Sequence, residues 1–319
     1  LLQQQNKLTG RAPGGYQIRR EKVKRQGKGA GAGEEVKVIV AGDPSEADLA
    51  WLRSFHRPAE SCESEGAKAC QQALQVQLVP RVALECSLDS REEMQQAAEV
   101  LLRLLLRLEK RGHKVHGFTL EVPFSQAEAA ITIPHMLRSG RGRGRGAGEG
   151  EGEQLKIIMV LPPVVIEKAG TEGGEQAREV LDLLAASVDR LSVMTYDKSR
   201  DGSPISPLPW VREVLSALVA VPSISKKLLL GLPFYGWTSD GEDLTAEKMV
   251  GWLATDESVK VVWDEEAEEH RWSASSGVTA SFPTPYMLQR RLELAKELGL
   301  AGVGIWEGGQ GIAAAVDLL

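Results

Sequence analysis

The sequence predicts an α/β protein of the TIM (β/α)8-barrel class, short of strands at its N-terminal end and carrying a small subdomain inserted after the seventh strand. Three observations predict it. Strand-like and helix-like segments alternate six times from Leu74 onward. The strand segments are continuous apolar runs, such as IIMVL and LLLGL, which suit a parallel sheet covered on both faces by helices. The runs also end on chemistry: RVALE closes on Glu85, HGFTLE on Glu121, LSVMTYD on Asp197 and GVGIWE on Glu307. Functional groups gathered at strand C-termini are a habit of barrel enzymes. A doubly wound sheet is the competing arrangement, but no GxGxxG loop follows a first strand, and the Gly-rich runs lie in polar low-complexity stretches that read as linkers.

Residues Leu1–Gly33 hold eight Lys or Arg against one Glu and end in alternating glycines, so they read as a basic, disordered arm. VKVIV (Val36–Val40) is a doubtful strand, and Ser45 caps a helix to Phe55. Arg57–Ala69 is a loop, and LQVQLVPRVALE a strand. Ser90 with Glu93 forms a capping box for a long helix that Gly112 closes. Val115–Val122 is the next strand, broken by Pro123, and a helix follows from about Ser125 to Leu137. Residues 138–153, rich in Gly, Arg and Glu, read as a disordered insertion. LKIIMVLPP, the helix Gly174–Ser187, LSVMTYD, the helix Trp210–Ala220 and KKLLLGLPFYG continue the alternation. Residues 237–283 interrupt it with paired strands, KVVWDEEAEEHRW and GVTASF. Thr284 caps the last long helix, with Pro285 at its first position and Gly299 past its end. AGVGIWE is the final strand, before a short closing helix at Leu319. The organisation read from this is an arm, 1–33, and one barrel domain, 34–319.

The 319 residues are 42% hydrophobic, enough for a large core, and the net charge of −6 argues against nucleic acid or an anionic membrane as partner. No apolar run approaches the roughly 18–20 residues that span a bilayer. The chain opens on Leu1, so it reads as a fragment or processed product in which the lack of a signal peptide decides nothing. Cys62, Cys70 and Cys86 have no CxxC spacing; Cys62 with Cys70 could form a disulfide, and three free thiols is the equally good alternative. His56, His113, His116, His135 and His270 are scattered, without an HExxH pair, and there is no GxSxG serine. No metal and no cofactor is expected.

What remains for chemistry is carboxylates and aromatics. A glycosidase needs a proton donor and a group that stabilises positive charge on the sugar, which two of Glu85, Glu121, Asp197 and Glu307 could supply. The plainer reading is that these acids are solvated or paired with Arg81 and Lys198. Only 5% of the chain is aromatic, yet Tyr196, Tyr235, Trp237 and Trp306 all fall at or just beyond strand ends. Flat apolar faces with an N–H or O–H suit a sugar ring.

LSVMTYD, LLLGLPFYG and GVGIWE resemble the sixth, seventh and eighth strands of the chitinase-type family 18 glycoside hydrolases, and the insertion after Tyr235 falls where that family carries its own. QLVPRVALE, HGFTLEV, VVWDEEAEEH and GIWEGGQG are similar to one chitinase-like branch of it. The resemblance covers Val36–Leu319. It implies that the first strand is absent and the second missing or hidden in the arm. It also implies a fourth-strand motif D-G-x-D-x-D-x-E, whose last Glu donates the proton and whose preceding Asp orients the N-acetyl group. On HGFTLEVP the acidic positions are His116, Thr119, Glu121 and Pro123. Proline carries no proton, so hydrolysis is not expected. Tyr196 and Asp197 match the family's Tyr-Asp, and Trp306 its stacking tryptophan. The expected saccharide-binding residues are Trp306, Tyr196, Asp197, Glu121, Tyr235, Glu307 and Glu85. The expected ligand is a chito-oligosaccharide or related amino-sugar glycan, in a secreted or lysosomal setting. A divergent hydrolase using Glu121 or Glu307, or a protein-interaction scaffold, are the alternatives.

Overall fold

Ser90 opens the helix Arg91–Lys110 as its sequence dictates: its hydroxyl accepts from Glu93 N–H while the Glu93 carboxylate takes the Ser90 N–H. Gly112, at φ +84°, ends it in a conformation that a side chain would strain. The apolar stripe Met94, Ala97, Ala98, Leu101, Leu104, Leu105 and Leu108 is buried. The structure is a computed structural model. It describes residues 16–24, 34–42, 77, 79–143, 154–170, 174–219, 221–307, 309–312, 315 and 318. The chain divides into two compact units, with the boundary between Met159 and Val160.

In the N-terminal unit the strands are β1 (Tyr16–Lys24), β2 (Glu34–Ala41), β3 (Arg81–Leu84), β4 (Gly117–Glu121) and the start of β5 (Lys156–Leu161), in the order β5-β4-β3-β1-β2. β1 runs parallel to β3, with Tyr16 opposite Val82 and Ile18 opposite Leu84. β2 returns antiparallel along β1. This differs from the sequence reading, which placed a disordered arm over residues 1–33. Tyr16, Gln17 and Ile18 are buried there. Their strand character is hidden in the sequence by the Arg and Lys residues that follow, of which Arg19 and Arg20 find acidic partners on neighbouring segments. The hidden strand of the arm is therefore β1.

A second difference lies at the other end of the unit. The helix expected to stop near Leu137 runs from Ala127 to Arg143, into the stretch read as disordered from residue 138. Gly140 lets it approach the long helix closely, since a Cβ there would stand 2.5 Å from Leu102 Cδ1. Arginine is also among the stronger helix formers. The expected helix from Ser45, the loop Arg57–Ala69, and Cys62 with Cys70 lie outside the described residues; Cys86 is a free thiol.

In the C-terminal unit β5 is followed by β6 (Arg190–Val193), β7 (Leu228–Pro233) and, at the end, β13 (Gly302–Trp306), in the order β13-β7-β6-β5. β6 pairs parallel with β7, and β7 with β13. Every residue of β7 is buried, as a continuous apolar strand should be. Helices Pro163–Gly170, Glu175–Ser187, Leu208–Val219 and Pro285–Glu297 intervene. Between β7 and the last of these lies a separate antiparallel sheet. It is built from β8 (Gly236–Thr238), β9 (Asp243–Leu244), β10 (Lys260–Asp264), β11 (Glu269–Ser273) and β12 (Thr279–Ser281), ordered β10-β11-β12-β8-β9. Helix Ala246–Thr255 contributes Met249 to a core with Leu244, Trp272, Ala280 and Phe282. No described helix is long and apolar enough to cross a membrane.

Candidate functional site

β6 ends at Val193, and the chain turns out of the sheet through Thr195, Tyr196 and Asp197. Thr195 Oγ1 donates to Gly231 O at 2.7 Å, tying the turn to β7. Residue 231 must be glycine: a Cβ would stand 2.3 Å from Val193 O and 2.8 Å from Tyr196 Cε1. Asp197 adopts φ +57°, a left-handed conformation that Asp tolerates better than most side chains. That turn aims its carboxylate at three donors. Tyr235 Oη donates to Oδ1 at 2.6 Å and Trp237 Nε1 to the same oxygen at 2.8 Å, while Arg200 Nη2 donates to Oδ2 at 2.8 Å. Burial, then the bond to Asp197, pushes the Tyr235 phenol well above its ordinary value, so it stays a donor.

The aromatic rings stand edge to face: Tyr196 on Tyr235 at 6.4 Å and Tyr235 on Trp237 at 5.9 Å between centroids. The Arg200 guanidinium lies 5.2 Å from the centre of the Trp237 ring. Tyr235 packs with buried Ile205 and Met287, and Tyr196, Trp237, Trp263 and Trp306 line that cluster half-buried. Four aromatic side chains of this cluster thus stay only half-buried, and one of them, Trp237, donates to the Asp197 carboxylate.

The loop that closes this turn is held from below. Glu269, 1% exposed, accepts from Ile205 N–H at 3.0 Å, Ser206 N–H at 2.6 Å and Ser281 Oγ at 2.8 Å. Arg291, fully buried, meets it at 3.3 Å and also donates to Ser206 O at 2.5 Å. Ser206 Oγ donates to Thr195 O at 2.6 Å, and Lys198 N–H to Ile205 O at 2.9 Å. Burial pushes the Glu269 carboxyl up and the Arg291 guanidinium down, and each is opposed by the charge of the other. Arginine keeps its proton in proteins, so Arg291 is charged here, and it and the other groups bonded to the Glu269 oxygens are donors.

The sequence-derived candidates therefore separate. Trp306, Tyr196, Asp197 and Tyr235 fall in one cluster of the C-terminal unit. Glu307 follows Trp306 through a cis peptide and is 3% exposed. Glu121 and Glu85 belong to the N-terminal unit, where each has an arginine. Arg81 Nε donates to Glu121 Oε2 at 2.9 Å, and its Nη2 donates to the same oxygen. Arg19 Nε donates to Glu85 Oε2 at 2.7 Å. The expected Arg81 pairing is present; Asp197, however, pairs with Arg200, while the Lys198 ammonium lies 5.2 Å from the centre of the Trp210 ring. In the N-terminal unit Thr119 is buried, and Pro123 stands exposed between β4 and the turn Phe124–Gln126. Arg200 and Glu269 were not legible as site residues. An arginine in a Ser/Gly/Asp loop reads as solvated, and Glu269 is the last of five acids in DEEAEE. Among the described residues no group of His, Cys, Asp and Glu could hold a metal.

The model of the glycosyl hydrolases family 18 matches residues 95–311. The chain belongs to that family. Solved structures agree on the fold. A chitinase from Chromobacterium violaceum superposes with a TM-score of 0.60 at 18% identity, over 88% of this chain and 86% of its own. A putative sporulation-specific glycosylase from Bacillus subtilis gives 0.59 at 13% identity, over 92% and 95%. A family 18 N-acetylglucosaminidase from Paenibacillus barengoltzii gives 0.57 at 16% identity, over 79% and 84%. The α/β fold of the barrel class expected from the sequence is thus the fold of this family 18 chain.

Proposed function

We propose that this family 18 chain binds chito-oligosaccharides or related amino-sugar glycans and does not hydrolyse them, as a member of the branch typified by chitinase domain-containing protein 1, the stabilin-interacting chitinase-like proteins. A secreted or lysosomal setting goes with that branch. The observation that carries the reading is a contrast between two segments. His116–Pro123 aligns with the family's acid motif but ends on a proline. General acid catalysis is worth roughly 10²–10⁴ in rate, and a residue with no ionisable group supplies none of it. The Asp197 cluster, by contrast, is intact and organised: one carboxylate fixed by three donors, with aromatic faces beside it.

Two measurements test the reading. Incubation of the chain with a fluorogenic chitotriose is expected to give no more product than a heat-killed control. Pro123→Glu alone is expected not to restore full activity, because Thr119 and Glu121 depart from the motif as well. Turnover by the unmodified chain would instead support a divergent hydrolase. In calorimetric titration with chitotetraose, dissociation constants in the micromolar to millimolar range are expected, about 4–8 kcal/mol. Each hydroxyl contact replaces one to water and nets only about 0.5–1.5 kcal/mol. Trp306→Ala removes a stacking face and is expected to weaken binding by about tenfold or more, on the order of 1.4 kcal/mol. Equal affinity of the two, or no binding by either at millimolar ligand, would favour the scaffold instead.

A further inference from the structure

We propose that β10, Lys260–Asp264, is a self-association edge through which two copies of this chain pair antiparallel about Val262. β10 is the terminal strand of the inserted sheet, and among the described residues no strand pairs with its outer side. An edge strand offers a row of backbone donors and acceptors to any strand that can approach. This edge is also apolar. Val262 is 62% exposed and Val261 44%, although they point to opposite faces of the sheet.

The occupant follows from the order of the side chains. In K-V-V-W-D, an antiparallel copy centred on Val262 sets Lys260 opposite Asp264 of the second copy, twice by symmetry, and Val261 opposite Trp263 of the second copy, also twice. Lysine on an exposed edge normally guards it, because an unrelated strand offers it no counter-charge. Here the strand carries that counter-charge at its own other end. Asp264 keeps its place through Oδ1, which accepts from Glu266 N–H at 3.1 Å and Ala267 N–H at 3.0 Å; Oδ2 is only loosely engaged, 3.6 Å from Arg271. Trp263 is held in advance by the His270 and Tyr286 rings, at 4.8 and 4.7 Å between centroids, so little freedom remains for it to lose. A single five-residue strand is far smaller than a standard interface, so the association is weak and concentration-dependent.

The test uses the full chain and exposed positions that leave the core untouched. Sedimentation over a concentration series is expected to show a mass rising from one chain towards two. Lys260→Glu, which sets acids opposite each other, is expected to abolish the rise. Register is read by disulfide trapping with oxidised glutathione, with the parent chain and its three native cysteines as control. Residues directly opposed across a two-fold lie about 4.5–5.5 Å apart at Cα, within disulfide reach, so Val262→Cys is expected to crosslink about tenfold faster than Lys260→Cys. The two copies of position 260 would be separated by about four residues of strand, roughly 13 Å. A mass of one chain at every concentration overturns the proposal. So does a dimer that Lys260→Glu leaves unchanged, or trapping of Val262→Cys no faster than of Lys260→Cys.

Discussion

Glu269→Ala lowers the stability of the C-terminal unit by about 3–5 kcal/mol, the loss that follows when one member of a buried ion pair is removed. The size comes from what is left behind. Arg291 keeps its charge in a fully buried position with no carboxylate to face, and the Ile205 and Ser206 N–H groups and the Ser281 hydroxyl lose their acceptor. Each stranded buried donor costs about 1–3 kcal/mol by itself, so a shared acceptor makes a single substitution act as several. Glu269→Gln keeps the shape and one acceptor oxygen and is expected to cost roughly half as much. The check is thermal unfolding followed by tryptophan fluorescence, where a drop on the order of 10 °C is expected for Glu269→Ala. An unchanged transition would mean that the loop Thr195–Ser206 holds its shape without the pair. The pair joins β11 and helix Pro285–Glu297 to the loop that carries Asp197. Ligand binding should therefore weaken in the same variant even below its unfolding temperature.

Asp197→Ala is the second large effect, and it acts on the site itself. The carboxylate is the common acceptor for Tyr235 Oη, Trp237 Nε1 and Arg200 Nη2. Alanine strands the phenol and the indole N–H in a half-dry cluster, frees Arg200, and puts an ordinary side chain at φ +57°. Left-handed backbone costs such a residue roughly 1–2 kcal/mol, and two stranded donors about 1–3 kcal/mol each, so the substitution should abolish measurable binding and destabilise the unit by about 3 kcal/mol or more. Asp197→Asn separates the causes. Asparagine tolerates the backbone and keeps one carbonyl for Tyr235 and Trp237, but presents an amide where Arg200 needs an acceptor. It is expected to stay folded, to lose about 1 kcal/mol, and to change preference between N-acetylated and deacetylated oligomers. Unfolding midpoints and calorimetric titrations of the two variants side by side decide the matter. If Asp197→Asn proves as damaging as Asp197→Ala, the Arg200 contact is the one that matters.

The two residues behind these predictions were not equally visible beforehand. Asp197 announces itself, because an acid after an apolar run at a strand end is a local pattern. Glu269 does not: it closes a run of acids that reads as a solvated face, and only its partners at positions 205, 206, 281 and 291 make it a core residue. Arg200 is similar, an exposed-looking arginine given a role by Asp197 and Trp237. Strand β1 is hidden in the sequence for a related reason. Tyr16 and Ile18 are two apolar residues in a basic stretch, too few to signal a strand until Val82 and Leu84 are placed beside them.

What the sequence determined by itself is the part written in neighbouring residues. That includes the strand and helix alternation, the Ser90 and Thr284 caps, the glycine stops, and the strand-end acids and aromatics. Caps and periodicity act over one or two turns, so a few adjacent side chains suffice to specify them. The tertiary structure alone decided which acids share a cluster, that Glu85 and Glu121 each face an arginine, and that Glu269 lies in the core. These depend on groups separated by 12 to 66 residues in the chain. A carboxylate reads the same in sequence whether it meets water, an arginine or a tyrosine. Only the packing around it sets its desolvation and its donors, and so decides which role it takes.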